Sequence, residues 1–168
     1  ACPNWAIIAG EDRVAVSIHE MTTELDSGGI YKKEFFGLTE NTYIRDIYDF
    51  LDSTIPELFA DVLDGLQDGT LTAVPQSTSK EDILRCYPRT PRDGFINWDD
   101  SAISISRLVR ASAEPFAGAY TYEGLNKLTI WRAQAIPSPY PCLGVPGQVI
   151  DRDSDDGSIV VLTGDGWL

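Results

Sequence analysis

The residues with the most chemical promise lie between Val14 and Tyr31, in the stretch VAVSIHEMTTELDSGGIY. A run that alternates apolar and polar side chains delivers His19, the single histidine of the chain. A polar turn then sets Asp26 just before Gly28 and Gly29. An acid held at the mouth of a strand can orient a histidine or take up a proton, and glycines let a ligand approach the backbone closely. The same residues also make a plain turn, because an Asp next to Gly bonds its own backbone. On composition alone the turn is the commoner use.

Other chemistries fail on spacing. His19-Glu20 opens like a zinc-protease motif, but the second histidine that HExxH requires is replaced by Thr23. Asp151 to Gly157 resembles a calcium loop, yet its sixth position is Asp156 where glycine is needed, and its twelfth is Leu162 where glutamate is needed. A solvated hairpin turn is the expectation there, and no metal is expected anywhere. No Walker loop, GxGxxG or GxSxG occurs. Cys2, Cys86 and Cys142 are far apart with no CxxC pair, which reads as free thiols of a cytoplasmic protein.

The formal net charge of −13 opposes long-range steering of tRNA or DNA, because the basic residues are scattered. Their densest group, Arg85, Arg89 and Arg92, is small enough for one diphosphate, which leaves a small anionic substrate open. No apolar run approaches the roughly 20 residues of a membrane span.

The elements that must position these residues follow from periodicity. Trp5 to Ala9 reads as a short helix with Pro3 near its start and Gly10 at its end. Val14 to Met21 and Ile30 to Phe36 read as two strands joined by the loop Thr22 to Gly29. From Asn41 or Thr42 to Gln67, apolar residues recur at three and four, from Ile44 and Ile47 through Ile55, Leu58, Phe59, Val62, Leu63 and Leu66. That predicts a long helix closed by Gly69, its apolar stripe in the core, kinked or split at Pro56. Leu71 to Pro75 is a candidate short strand. Tyr87 to Gly94 is a rigid connection taken as a domain boundary. A helix over 101–112 capped by Asp99 follows. Short strands at 119–122, 128–131, 148–150 and 158–162 then suggest a small barrel or sandwich.

Taken together, Ser17-Ile18-His19-Glu20-Met21 and Leu25-Asp26-Ser27-Gly28-Gly29-Ile30 resemble the signature of the folate-dependent formyltransferases, in the branch of the sugar-nucleotide N-formyltransferases and methionyl-tRNA formyltransferase. Pro3-Asn4-Trp5-Ala6-Ile7-Ile8 is similar to the helix after that family's active-site loop, and Pro88-Arg89-Thr90-Pro91 with Asp93 to Trp98 is similar to its interdomain joint. Arg110-Ala111, Pro115 to Tyr120, Pro146 to Ile150 and Gly164-Asp165-Gly166 resemble its OB-like C-terminal domain. The matches are collinear over nearly the whole chain.

The resemblance implies an α/β fold, with residues 1–86 as the C-terminal part of a Rossmann-like catalytic domain and 87–168 as an OB-like domain expected to be incomplete. It implies transfer of a formyl group from N10-formyltetrahydrofolate, as cosubstrate, to the amine of a nucleotide-linked amino sugar in the cytoplasm. Methionyl-tRNA is the alternative acceptor, and a non-catalytic folate- or nucleotide-binding remnant is the alternative class. A homodimer is left open. Asp26 becomes the family's catalytic aspartate. Thr22, Thr23, Glu24, Leu25 and Gly28 become the folate-facing loop, and Asn4, Trp5 and Arg89 become substrate-side residues, with Arg89 on a diphosphate or bracing the joint. The family's catalytic asparagine and histidine precede the active-site loop, so the resemblance implies that they lie upstream of Ala1, and both chain ends look cut. His19 matches a separate position on the strand and becomes a wall residue.

Overall fold

The computed structural model describes residues 3–79, 81 and 84–168, so Cys2 lies outside the described part. A short helix α1 (Pro3–Ala9) leads into an antiparallel hairpin of β1 (Arg13–His19) and β2 (Ile30–Gly37), followed by the 24-residue helix α2 (Ile44–Gln67). Gly10 ends α1 with φ +76°, a conformation that favours glycine. Val14 pairs with Phe36 and Ile18 with Lys32, but the register slips between Ile18 and His19, so that His19 faces Ile30. A slip of this kind re-aims a side chain, and here it falls on the residue next to the loop.

A connection through a 3-10 turn (Pro91–Gly94) reaches α3 (Ala102–Ser112) and then the strands β3 (Ala119–Glu123), β4 (Asn126–Ile130), β5 (Val149–Arg152) and β6 (Ile159–Val161). Helix α3 serves two cores at once. Its Ala111, with Ala113 just beyond, packs with Ile7, Ile44 and Ile47 from the first half, while Ile105 and Val109 pack with Ile96 and Ala119 from the second. Burying each such isoleucine contributes roughly 1.5–3 kcal/mol. Arg110 adds a polar tie, its Nη1 donating to the carbonyls of Thr39 at 3.1 Å and Thr42 at 2.8 Å.

Several expectations are corrected. Helix α2 is not split at Pro56, since one helix of 24 residues runs through it. The carbonyl of Asp52 that loses its donor lies on an exposed stretch where water can serve it. The apolar stripe of α2 is only half core: Ile44, Ile47, Leu58 and Val62 are buried, whereas Ile55, Phe59, Leu63 and Leu66 are 41–52% exposed, because no described element covers them. Ser101, not Asp99, caps α3, since its side chain accepts from Ser104 N at 3.1 Å. Leu71 to Pro75 forms no strand, only a bridge between Val74 and Ile30. The C-terminal strands pair as two separate hairpins, β3–β4 and β5–β6, and no closed barrel forms among the described residues. No described helix is long and apolar enough to cross a membrane.

Candidate active site

The loop between β1 and β2 is held from inside by its own side chains. Thr22 Oγ1 donates to the Glu24 carbonyl at 2.9 Å and lies 2.7 Å from Ser27 Oγ, which reaches the same carbonyl at 3.1 Å. Glu20 N donates to Gly29 O at 2.9 Å and closes the loop's base. Gly28 is required there by space, since a Cβ on it would overlap the Glu20 carbonyl, and one on Gly29 would press on Ala73. Asp26 is the one described non-glycine residue in the left-handed region, with φ +56°. Such backbone is uncommon outside glycine, asparagine and aspartate, and it persists only where the surroundings hold it.

The restraint comes from Gln76, which the sequence did not single out. Its Nε2 donates to Asp26 O at 2.8 Å and to Gly28 O at 2.7 Å, so one amide pins the backbone on both sides of the turn. Its position in the polar linker gives no local sign of this role, because its partners are 48 and 50 residues away.

With the backbone fixed, the Asp26 side chain is 77% exposed, its Oδ1 3.6 Å from His19 Nε2. A pair this open is worth little to stability. The His19 Nδ1 lies 2.8 Å from Glu20 O; since a carbonyl only accepts, Nδ1 carries a proton. Nε2 therefore presents a proton to Asp26 only when the ring is charged. Tyr31 OH donates to Glu20 Oε1 at 3.1 Å, and that bond to a carboxylate raises the tyrosine pKa from its ordinary value.

What the loop offers a ligand follows from these bonds. The carbonyls of Glu24, Asp26 and Gly28 already accept hydrogen bonds, while the backbone N–H groups of residues 22–26 and 28 have no hydrogen-bond partner among the described residues. Leu25 and Met21 are 91% and 98% exposed, and Met21, His19, Phe59, Leu63 and Leu66 line an open groove alongside. Unused donors, a carboxylate and an apolar wall together suit a flat heterocycle that bears acceptors. Among the described residues there is no group of three side chains able to hold a metal.

The substrate-side residues lie elsewhere, and none of them bonds to the loop. Asn4 is buried and donates through Nδ2 to Ala111 O at 2.6 Å. Trp5 Nε1 donates to Tyr87 O at 2.8 Å. Arg89 Nη2 donates to Asp93 O at 2.7 Å and to Ser112 Oγ at 3.2 Å, with its guanidinium 5.9 Å from the Trp5 ring. The structure therefore brings Trp5 and Arg89 together at the joint. Asp93 holds the same joint: its Oδ2 accepts from Thr90 N and Thr90 Oγ1, and the backbone bond above all lowers its pKa.

Comparison with known proteins bears on both halves. Residues 89–168 match the family described as "Formyl transferase, C-terminal domain". HypX from Aquifex aeolicus, solved in complex with tetrahydrofolic acid, is 20% identical with a TM-score of 0.70, over 98% of this chain and 28% of HypX. The N-formyltransferase from Helicobacter canadensis, solved with folinic acid and dTDP-3-aminofucose, is 17% identical with a TM-score of 0.60, over 98% of this chain and 57% of that one. Methionyl-tRNA formyltransferase from Clostridium thermocellum is also 17% identical, with a TM-score of 0.62, over 96% and 61%. At these identities the likeness is one of fold, and this chain spans less than two thirds of each of these proteins. The family match spans residues 89–168, just under half of the chain, and the likeness of fold extends over the rest.

Proposed function

We propose that the protein to which this chain belongs is an N-formyltransferase, moving a formyl group from N10-formyltetrahydrofolate to the amine of a nucleotide-linked amino sugar. The observation that carries the reading is the Asp26 turn: a pinned backbone, an exposed carboxylate and unused N–H donors in one place, on a chain whose residues 89–168 match the formyl transferase C-terminal domain. The solved proteins with folate ligands support the donor, and the one solved with an amino-sugar nucleotide supports the acceptor.

In the reaction the amine attacks the formyl carbon, a C–N bond forms, the bond to the folate nitrogen breaks, and one proton passes from the amine to that nitrogen. Asp26 orients the family's catalytic histidine, which is not among the residues of this chain, favours its charged form and helps relay that proton; His19 stays a wall residue. Thr22, Thr23, Glu24, Leu25 and Gly28 hold the folate heterocycle through backbone groups. Asn4, Trp5 and Arg89 mark the sugar-nucleotide side, where a guanidinium fork suits a diphosphate. On this reading residues 87–168 are the counterpart of the family's OB-like domain, joined to the catalytic part through the core that α3 shares with α1 and α2, and the protein works in the cytoplasm.

Methionyl-tRNA is the second acceptor, favoured by the fold shared with the Clostridium thermocellum enzyme, but the net charge of −13 weighs against a polyanion. The test is tetrahydrofolate release by the full-length protein with N10-formyltetrahydrofolate and either dTDP-amino sugars or methionyl-tRNA. Turnover with the amino sugars alone is expected. Turnover with tRNA alone would move the assignment to the second acceptor, and folate binding without turnover on either would make the protein a binding module.

A further inference from the structure

A second concavity opens where α1, β2 and α3 meet, and it shares no residue with the Asp26 loop. It encloses about 430 Å³, within the usual range of small-molecule pockets. Arg107 and Arg110, three residues apart on α3 and so on one helical face, both line it. Arg110 is only 7% exposed; its Nη1 is used on Thr39 and Thr42, and its Nε is buried without a partner among the described residues. A Cβ at Gly10 would overlap the Arg107 guanidinium, so that glycine is what lets Arg107 lie against the end of α1. Glu11, Asp12 and Glu40 stand on the exposed rim of the same cavity, yet among the described residues no carboxylate comes within ion-pair distance of either arginine. Burial first, and then the like charge of Arg107, lower the Arg110 pKa from its ordinary value.

Two neighbouring guanidiniums with an unused buried donor, in a protein of strong negative charge, form a local anomaly. Leaving a buried charged donor unsatisfied is costly, and an arriving oxyanion would relieve both that cost and the repulsion between the arginines. We propose that this cavity binds a small organic monoanion, a carboxylate or a phosphate ester in its singly charged form, whose oxygens are held between Arg107 and Arg110. The apolar walls of Ile7, Leu38 and Ile103 accommodate a short aliphatic body, and the acidic rim disfavours a second negative charge.

The test is a titration of the full-length protein at pH 6, with propionate in one arm and inorganic phosphate in the other, following the arginine Nε–H signals by NMR. At least one anion is expected to shift the Arg107 and Arg110 signals saturably with a millimolar or tighter Kd, and the tighter arm identifies the headgroup. Arg107→Gln should weaken binding at least tenfold and leave formyl transfer unchanged, while Glu40→Gln should tighten binding. Unsaturable or absent shifts in both arms, or an Arg107→Gln variant within twofold of the original Kd, would overturn the proposal.

Discussion

In the loop between β1 and β2 the backbone is bonded inward and the side chain of Asp26 faces solvent; at the joint the side chains of Asn4, Trp5, Arg89 and Asp93 are the ones turned inward, onto backbone groups. The same kinds of residue thus serve opposite ends. A polar atom already bonded within the chain must give that bond up, at a cost of about 1–3 kcal/mol, before it can serve a ligand. Asp26 has no such cost. The left-handed φ of Asp26 is itself unfavourable and is sustained by Gln76, the expected signature of a residue placed for reaction rather than for stability.

Substitutions on either side can break this contrast. Asp26→Asn should reduce kcat/KM for formyl transfer on the order of 10²–10⁴-fold, the range for losing a positioned proton-transfer group, measured by tetrahydrofolate release. Gln76→Ala frees the turn without touching the carboxylate. A fall of about tenfold in kcat/KM is expected, consistent with a small misplacement of a reacting group, and unchanged kinetics would mean the turn holds itself. The smallest effect is at the joint. The Asp93 carboxylate titrates below its ordinary value, so its contribution is present above the ordinary carboxylate range and is lost as the pH falls through the lowered value. Asp93→Ala should therefore melt at a slightly lower temperature at neutral pH, with the gap closing in acid and turnover unaffected. Melting curves across pH 2–7 would check the sign.

Much of this contrast is legible from local pattern. Period-two alternation and the Asp-Ser-Gly-Gly turn place β1, the loop and β2, and three-four spacing places α2, because those signals depend on near neighbours. What escapes is non-local. Gln76 reaches across about 50 residues, and nothing in a linker reading Gln-Ser-Thr-Ser distinguishes it. Asp99 is as good a cap as Ser101 by residue type, and the choice rests on which oxygen meets Ser104 N. The barrel depends on pairings between distant short strands, which short alternating runs do not encode. The outer half of the α2 stripe shows the same limit, since periodicity identifies an apolar face but not what lies against it.

The central claim is that Asp26 is held for chemistry and not for stability, and it is tested most directly by one paired measurement on full-length Asp26→Asn: thermal unfolding and formyl transfer on the same sample. The account predicts a melting temperature within about 1–2 °C of the parent, as for an exposed, weakly paired carboxylate, with turnover all but lost. Near-parental turnover, or a loss of turnover that merely follows a lowered melting temperature, would contradict it.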